Sequence, residues 1–180
     1  ILVCLVGSEM CIRDSPEGQP IVRCMPNTPA LVGAGMTGLY ANDQVKPEHR
    51  EAAERVLEAA GAVVWVPSEG LLDAVTAVSG SGPAYFFLLM EYMAKTGTAL
   101  GLDADTSRML TLQTALGAAL MAQKSTEPLA NLRQNVTSPG GTTEAAINTM
   151  LEHGMPEAIE SALQAAQQRS IQLAKEFGNP

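Results

Sequence analysis

The chain has 180 residues, 11 Lys+Arg against 19 Asp+Glu, and a formal net charge of -8. With 46% hydrophobic residues it is too apolar for intrinsic disorder and can bury a sizeable core. The acidic balance argues against nucleic acid and against an anionic membrane surface, both of which recruit Lys and Arg.

The opening run ILVCLV is too short to span a membrane. It also lacks the basic flank and small-residue cleavage site of a signal peptide, so a cytoplasmic protein is expected. Cys4, Cys11 and Cys24 are odd in number and show no CxxC spacing, so neither a disulfide framework nor a metal site is expected. His49 and His153 read as surface residues.

Residues 21–66 read as short strands around one helix. IVRCM (21–25) predicts a strand. Pro26-Asn27-Thr28-Pro29 then predicts a rigid loop that continues neither strand nor helix. MTGLYA (36–41) predicts the next strand. Pro47 opens a helix with Ala53, Val56, Leu57 and Ala60 on one face, and Gly61 ends it. AVVWV (62–66) is a β-branched strand between Gly61 and Pro67. This order predicts the edge of an α/β sheet.

From Leu71 onward the pattern is helical. The stretch 83–100 is apolar nearly all round, which predicts burial on several sides. Asp103 is a predicted cap for a helix over 104–124. Shorter helices follow at 128–136 and 142–153, and a last one runs from Pro156. Its stripe includes Ile159, Leu163, Leu173 and Phe177. So much apolar helix in a short chain points to an oligomer interface, with an ordinary intramolecular bundle as the alternative.

Three segments can carry chemistry. In SPGGTTEAA (138–146) two glycines precede a helix start, whose unpaired N–H groups and dipole suit a carboxylate or phosphate. A plain capped helix start explains the same residues equally well. AVSGSGPAY (77–85) is neither a P-loop nor a GxGxxG turn, and its small residues favour close helix packing over ligand contact. MPNTP (25–29) sits at a strand end, where open α/β sheets place ligands; an Asn-Thr turn between prolines is the plain alternative.

Taken together, Arg23–Pro29, Asp73–Tyr85 and Asn135–Ile147 closely resemble, in this order, the pyrroline-5-carboxylate reductase family. The resemblance runs from about Ile21 to the C-terminus. It implies an α/β remnant, the last strands of a Rossmann-type sheet, followed by an all-α helical oligomerisation domain, so that the chain is mostly α. It also implies reduction of 1-pyrroline-5-carboxylate to L-proline by hydride from NADPH or NADH, with no metal. The expected assembly is a homodimer through the α-domain, possibly a decamer.

By the same resemblance Ser138, Gly141, Thr142 and Thr143 bind the substrate carboxylate, and the Thr143 hydroxyl meets the ring nitrogen as the catalytic group. Asn27, Thr28 and Asn135 stand near the nicotinamide, and Glu69 matches an acidic position near the site. The family's GxGxxG turn has no counterpart in residues 1–20, so the 180-residue chain alone is expected to be inactive. A non-catalytic oligomerisation module from the same family is the alternative. Residues 1–15 match nothing in the family and resemble translated adapter sequence, a divergent strand being the plainer reading. The expected organisation is thus 1–15 non-native, 16–68 the remnant of a dinucleotide-binding domain, and 69–180 the all-α dimerisation and substrate domain.

Overall fold

The computed structural model describes the backbone of Leu2–Cys4 and residues 18–178, and the side chains of residues 18–176. Most of the 1–15 stretch, including Cys11, lies outside the described residues, as does the Phe177 side chain. In chain order the elements are β1 (Leu2–Cys4), β2 (Ile21–Met25), β3 (Gly35–Ala41), α1 (Pro47–Leu57), β4 (Gly61–Trp65), α2 (Leu71–Val75), α3 (Gly82–Ala99), α4 (Ala104–Lys124), α5 (Leu129–Asn135), α6 (Thr142–Glu152) and α7 (Met155–Gly178). Two compact units emerge, residues 1–84 with 161–180, and residues 85–160.

The first unit is built on one sheet in the order β1-β2-β3-β4. β3, α1 and β4 form a parallel strand-helix-strand crossover. β1 also runs parallel to β2, with Leu2 opposite Ile21. β2 and β3 are antiparallel, with Cys24 opposite Leu39, so the sheet is mixed. Strand alternation sends Val22 and Cys24 to one face and Arg23 and Met25 to the other. The first face is the core: Val22 and Leu39 are fully buried against Cys24 and Ala53 of α1, with Leu57, Val63 and Trp65 at its margin. Ala53 and Leu57 stack four residues apart. Val56, expected beside them, is 67% exposed, because one residue further round the helix carries it past the sheet.

The segment expected as a loop is partly helical, and the helical run from Leu71 contains a π turn. Thr28–Val32 form a 3-10 turn, which accommodates Pro29 because a proline in the first turn lacks only an N–H that has no partner there. Gly33, at φ 69, ends it. Thr76–Gly80 form a π turn that carries α2 towards α3, and the Ser81 N–H donates to Thr76 O at 2.8 Å. The small residues serve packing here. A Cβ on Gly38 would lie 2.6 Å from Val75 Cγ1, and one on Gly80 would collide with Met25 Cε.

In the second unit α3 and α4 meet through small polar residues. Ser107 is buried and donates to Ala94 O at 2.6 Å, Thr111 donates to Ser107 O at 2.9 Å, and a Cβ on Gly97 would collide with Ser107 Oγ. Asp103 caps α4 as expected, accepting the Thr106 N–H at 2.9 Å. The large apolar side chains point elsewhere: Phe86 and Phe87 are each 63% exposed and Leu129 is 72% exposed. The burial expected around 83–100 is therefore not supplied by this chain alone.

Candidate functional site

The segment that joins α5 to α6 is a tight turn aimed at a helix start. Gly140 adopts φ 71, a conformation that L side chains rarely hold. The Gly141 N–H donates back to Ser138 O at 3.0 Å, and a Cβ on Gly141 would stand 3.0 Å from that same oxygen. Both glycines of the SPGG sequence are therefore set by the turn itself. Gly141 is the N-cap residue of α6, and the first bond of the helical ladder is the Ala145 N–H to Gly141 O at 3.2 Å. The N–H groups of Thr142, Thr143 and Glu144 precede that bond and point out of the helix start. Thr142 and Thr143 are exposed, so their hydroxyls stand beside those donors. The arrangement offers an anion several N–H donors and the positive end of an 11-residue helix.

Two acidic side chains complete this neighbourhood: Glu144, the acidic residue of a plain first helical turn, and Glu127, which the sequence did not single out. The Glu144 carboxylate accepts the Gly140 N–H at 2.7 Å. Glu127 accepts from Asn135 Nδ2 at 3.1 Å, which ties the end of α5 to the chain just before it. Acidic residues at those spacings carry no periodic signal, since each contact is made across a turn.

The first unit holds Asn27, Thr28 and Glu69. The Asn27 amide is fully engaged: it donates to Ser79 O and Ser79 Oγ, both at 3.2 Å, and accepts the Met36 N–H at 2.9 Å. It thereby binds the β2–β3 loop to the π turn. Thr28 is exposed at the start of the 3-10 turn. Glu69 pairs with Arg23 at 2.8 Å along a cavity of about 590 Å³ in this unit, whose walls also include Met25, Asp73, Thr76 and Ser170. Asn135, Ser138, Gly141, Thr142 and Thr143 thus lie together in the second unit, and Asn27, Thr28 and Glu69 lie in the first.

Comparison with known proteins places these segments in one family. The family model described as pyrroline-5-carboxylate reductase dimerisation matches residues 69–173. The Pseudomonas aeruginosa pyrroline-5-carboxylate reductase is 56% identical over 162 residues, covering 90% of this chain and 59% of that protein. Among solved structures, the pyrroline-5-carboxylate reductase of Coxiella burnetii superposes with a TM-score of 0.85 at 45% identity, covering 91% of this chain and 59% of that one. The Plasmodium falciparum pyrroline carboxylate reductase, solved with NADP bound, gives 0.78 at 33% identity, covering 88% of this chain and 63% of that one. The chain belongs to the pyrroline-5-carboxylate reductase family. Its fold is the one expected, a Rossmann remnant followed by a helical dimerisation domain, and it spans 59% of the length of the P. aeruginosa relative.

Proposed function

We propose that this chain is the substrate-binding and dimerising part of an enzyme that reduces 1-pyrroline-5-carboxylate to L-proline, the last step of proline biosynthesis. The observation that carries the reading is the Ser138–Thr143 turn, with its left-handed Gly140 and the outward N–H groups of the α6 start, in a chain of this family. The N–H groups of Thr142 and Thr143 hold the substrate carboxylate. That fixes the five-membered ring, and the Thr143 hydroxyl meets the ring nitrogen, orienting it and assisting its protonation. An imine carbon accepts hydride without a covalent nucleophile, so position and charge are what the protein contributes.

NADPH or NADH supplies the hydride when bound, with Asn27, Thr28 and Asn135 near the nicotinamide in this reading. The residues present do not make a complete dinucleotide site. Residues 1–20 hold no GxGxxG turn, the GAGMTG run at 33–38 leads into β3 and opens no helix, and the Asn27 amide is already engaged by Ser79 and Met36. The 180-residue chain alone is accordingly expected to bind the carboxylate without turning over.

A homodimer through the helical unit, with a decamer as the larger assembly, belongs to the same proposal. It is supported by the dimerisation match and by the exposed Phe86, Phe87 and Leu129. Those observations equally support the second reading, a non-catalytic oligomerisation module. A cytoplasmic location follows from the proposed biosynthetic role. No helix among the described residues is long and apolar enough to cross a membrane, and no group of three or more His, Cys, Asp or Glu there is placed to hold a metal.

Titrating L-proline into the chain while following backbone amides by NMR tests the site. Saturable shifts centred on Thr142 and Thr143 are expected. An unmoved α6 start with L-proline in large excess overturns the carboxylate assignment and leaves the oligomerisation module.

A further inference from the structure

We propose that the cavity of the first unit is a second binding site, one that takes a small amphipathic ammonium ion on Asp73. The cavity has a volume of about 590 Å³, within the range of small-ligand pockets. Three stretches of the first unit wall it: β2 with Arg23, the 69–81 stretch with Glu69, Leu72 and Asp73, and the C-terminal helix with Ser170 and Leu173. The Ser138–Thr143 turn belongs to the second unit and contributes nothing to these walls.

The charges of the wall are unevenly matched. Arg23 pairs with Glu69 at 2.8 Å, and Arg169 gives its Nη1 to Glu176, also at 2.8 Å. Asp73 is the carboxylate left over. Among the described residues the side chain bonded to it is the neutral Ser170 hydroxyl, at 2.7 Å, and no cation stands within ion-pair distance. A carboxylate offers several lone pairs, and a half-buried one gains from a cation that brings its own N–H donors. The rest of the wall asks for hydrocarbon. Met25, Leu72, Leu173 and Ala174 line it, and the Thr76 hydroxyl is already given to Leu72 O at 2.8 Å. This combination fits a primary or secondary amine, charged at neutral pH, with a short apolar body. Its N–H groups meet Asp73 while the body lies against Leu72 and Leu173.

Three probes of one length separate charge from hydrocarbon on the 180-residue chain itself. Titration with n-pentylammonium should give saturable NMR shifts at the amides of Asp73, Thr76, Ser170 and Leu173, with those of Thr142 and Thr143 unmoved. The same body without charge, n-pentanol, should bind at least roughly ten-fold more weakly, the usual scale for a lost charge-assisted hydrogen bond. The zwitterion δ-aminopentanoate adds a carboxylate to a wall whose two arginines already hold carboxylates, so it should also bind more weakly than the simple amine.

Asp73→Asn isolates the anchor, since its amide oxygen still accepts the Ser170 hydroxyl and keeps α7 attached. Affinity for n-pentylammonium should fall by roughly ten-fold or more in this variant. Equal affinity in Asp73→Asn and the parent overturns Asp73 as the anchor. Should Asp73→Asn fail to fold, the pentanol comparison decides on the parent chain alone: n-pentanol and n-pentylammonium binding equally well overturn the ammonium site. Tighter binding of δ-aminopentanoate overturns the class of ligand proposed. Cavity amides that stay unmoved with n-pentylammonium in large excess overturn the site altogether.

Discussion

The Ser170 hydroxyl donates to Asp73 Oδ1 at 2.7 Å across 97 residues of chain. Ser170 lies on α7 and Asp73 on α2, so this bond fastens the C-terminal helix to the first unit beside the cavity that Arg23 and Glu69 line. The pair is partly buried, where a hydrogen bond contributes more reliably than on an open surface. Ser170→Ala should lower stability by about 1 kcal/mol. It should also raise hydrogen exchange across 166–174 while leaving 104–124 unchanged. Equal exchange in variant and parent would show that apolar packing of Leu173 and Ala166 holds the helix unaided.

Asn27 makes three hydrogen bonds with one side chain, and no shorter or longer residue reproduces them. In Asn27→Ala the Met36 N–H and the Ser79 carbonyl lose their partner in a partly buried place, at a cost of about 2–3 kcal/mol. Asn27→Asp keeps an acceptor for Met36 and lets the Ser79 hydroxyl donate instead, but sets an oxygen against the Ser79 carbonyl, so it should still destabilise the unit. Urea unfolding followed by the fluorescence of Trp65, the one tryptophan in the sequence, reports on the first unit directly. A midpoint within error of the parent for both variants would remove Asn27 from the framework.

These two contacts show what could be read in advance. The strands at 21–25 and 36–41, the crossover helix from Pro47 and the Asp103 cap were legible because alternation, proline placement and cap chemistry are local signals. The antiparallel pairing of β2 with β3 was not, since either direction satisfies the same alternation. The 3-10 turn over Pro29 and the π turn at 76–80 escaped because glycine and proline were read as breakers, whereas each sits where a helix tolerates it. At the candidate site the Ser138–Thr143 turn was visible as a motif. Glu144 was legible as an acidic residue of the first helical turn, but its bond to Gly140 and the bond between Glu127 and Asn135 were not, because both depend on how a turn folds back on itself.

The second unit buries Ser107 and Thr111 between its helices and leaves Phe86, Phe87 and Tyr92 at 60% exposure or more. A helix with that much apolar surface in water gains by association, at about 25 cal/mol for each Å² covered. Light scattering on the purified chain at micromolar concentration should therefore give a dimer or larger species. Replacing both Phe86 and Phe87 with Glu should shift it towards monomer. A parent chain that stays strictly monomeric at the highest soluble concentration would refute this.

Asp103 provides a pH-dependent helix start in the second unit. Hydrogen bonding from Thr106 lowers the pKa of its carboxyl below the ordinary value. Because the folded pKa is the lower one, the cap's contribution is fully present above the unfolded value of about 3.9 and is lost as pH falls through the folded value. Protection of the Thr106 amide should accordingly hold from neutral pH down to about 4 and fade below that. Asp103→Asn keeps an oxygen acceptor for the Thr106 N–H without the titration, so its Thr106 protection should be flat across the same range. Asp103→Ala should show none of this protection at any pH. If the parent and Asp103→Asn fade together in acid, the acid sensitivity of α4 lies in a group other than its cap.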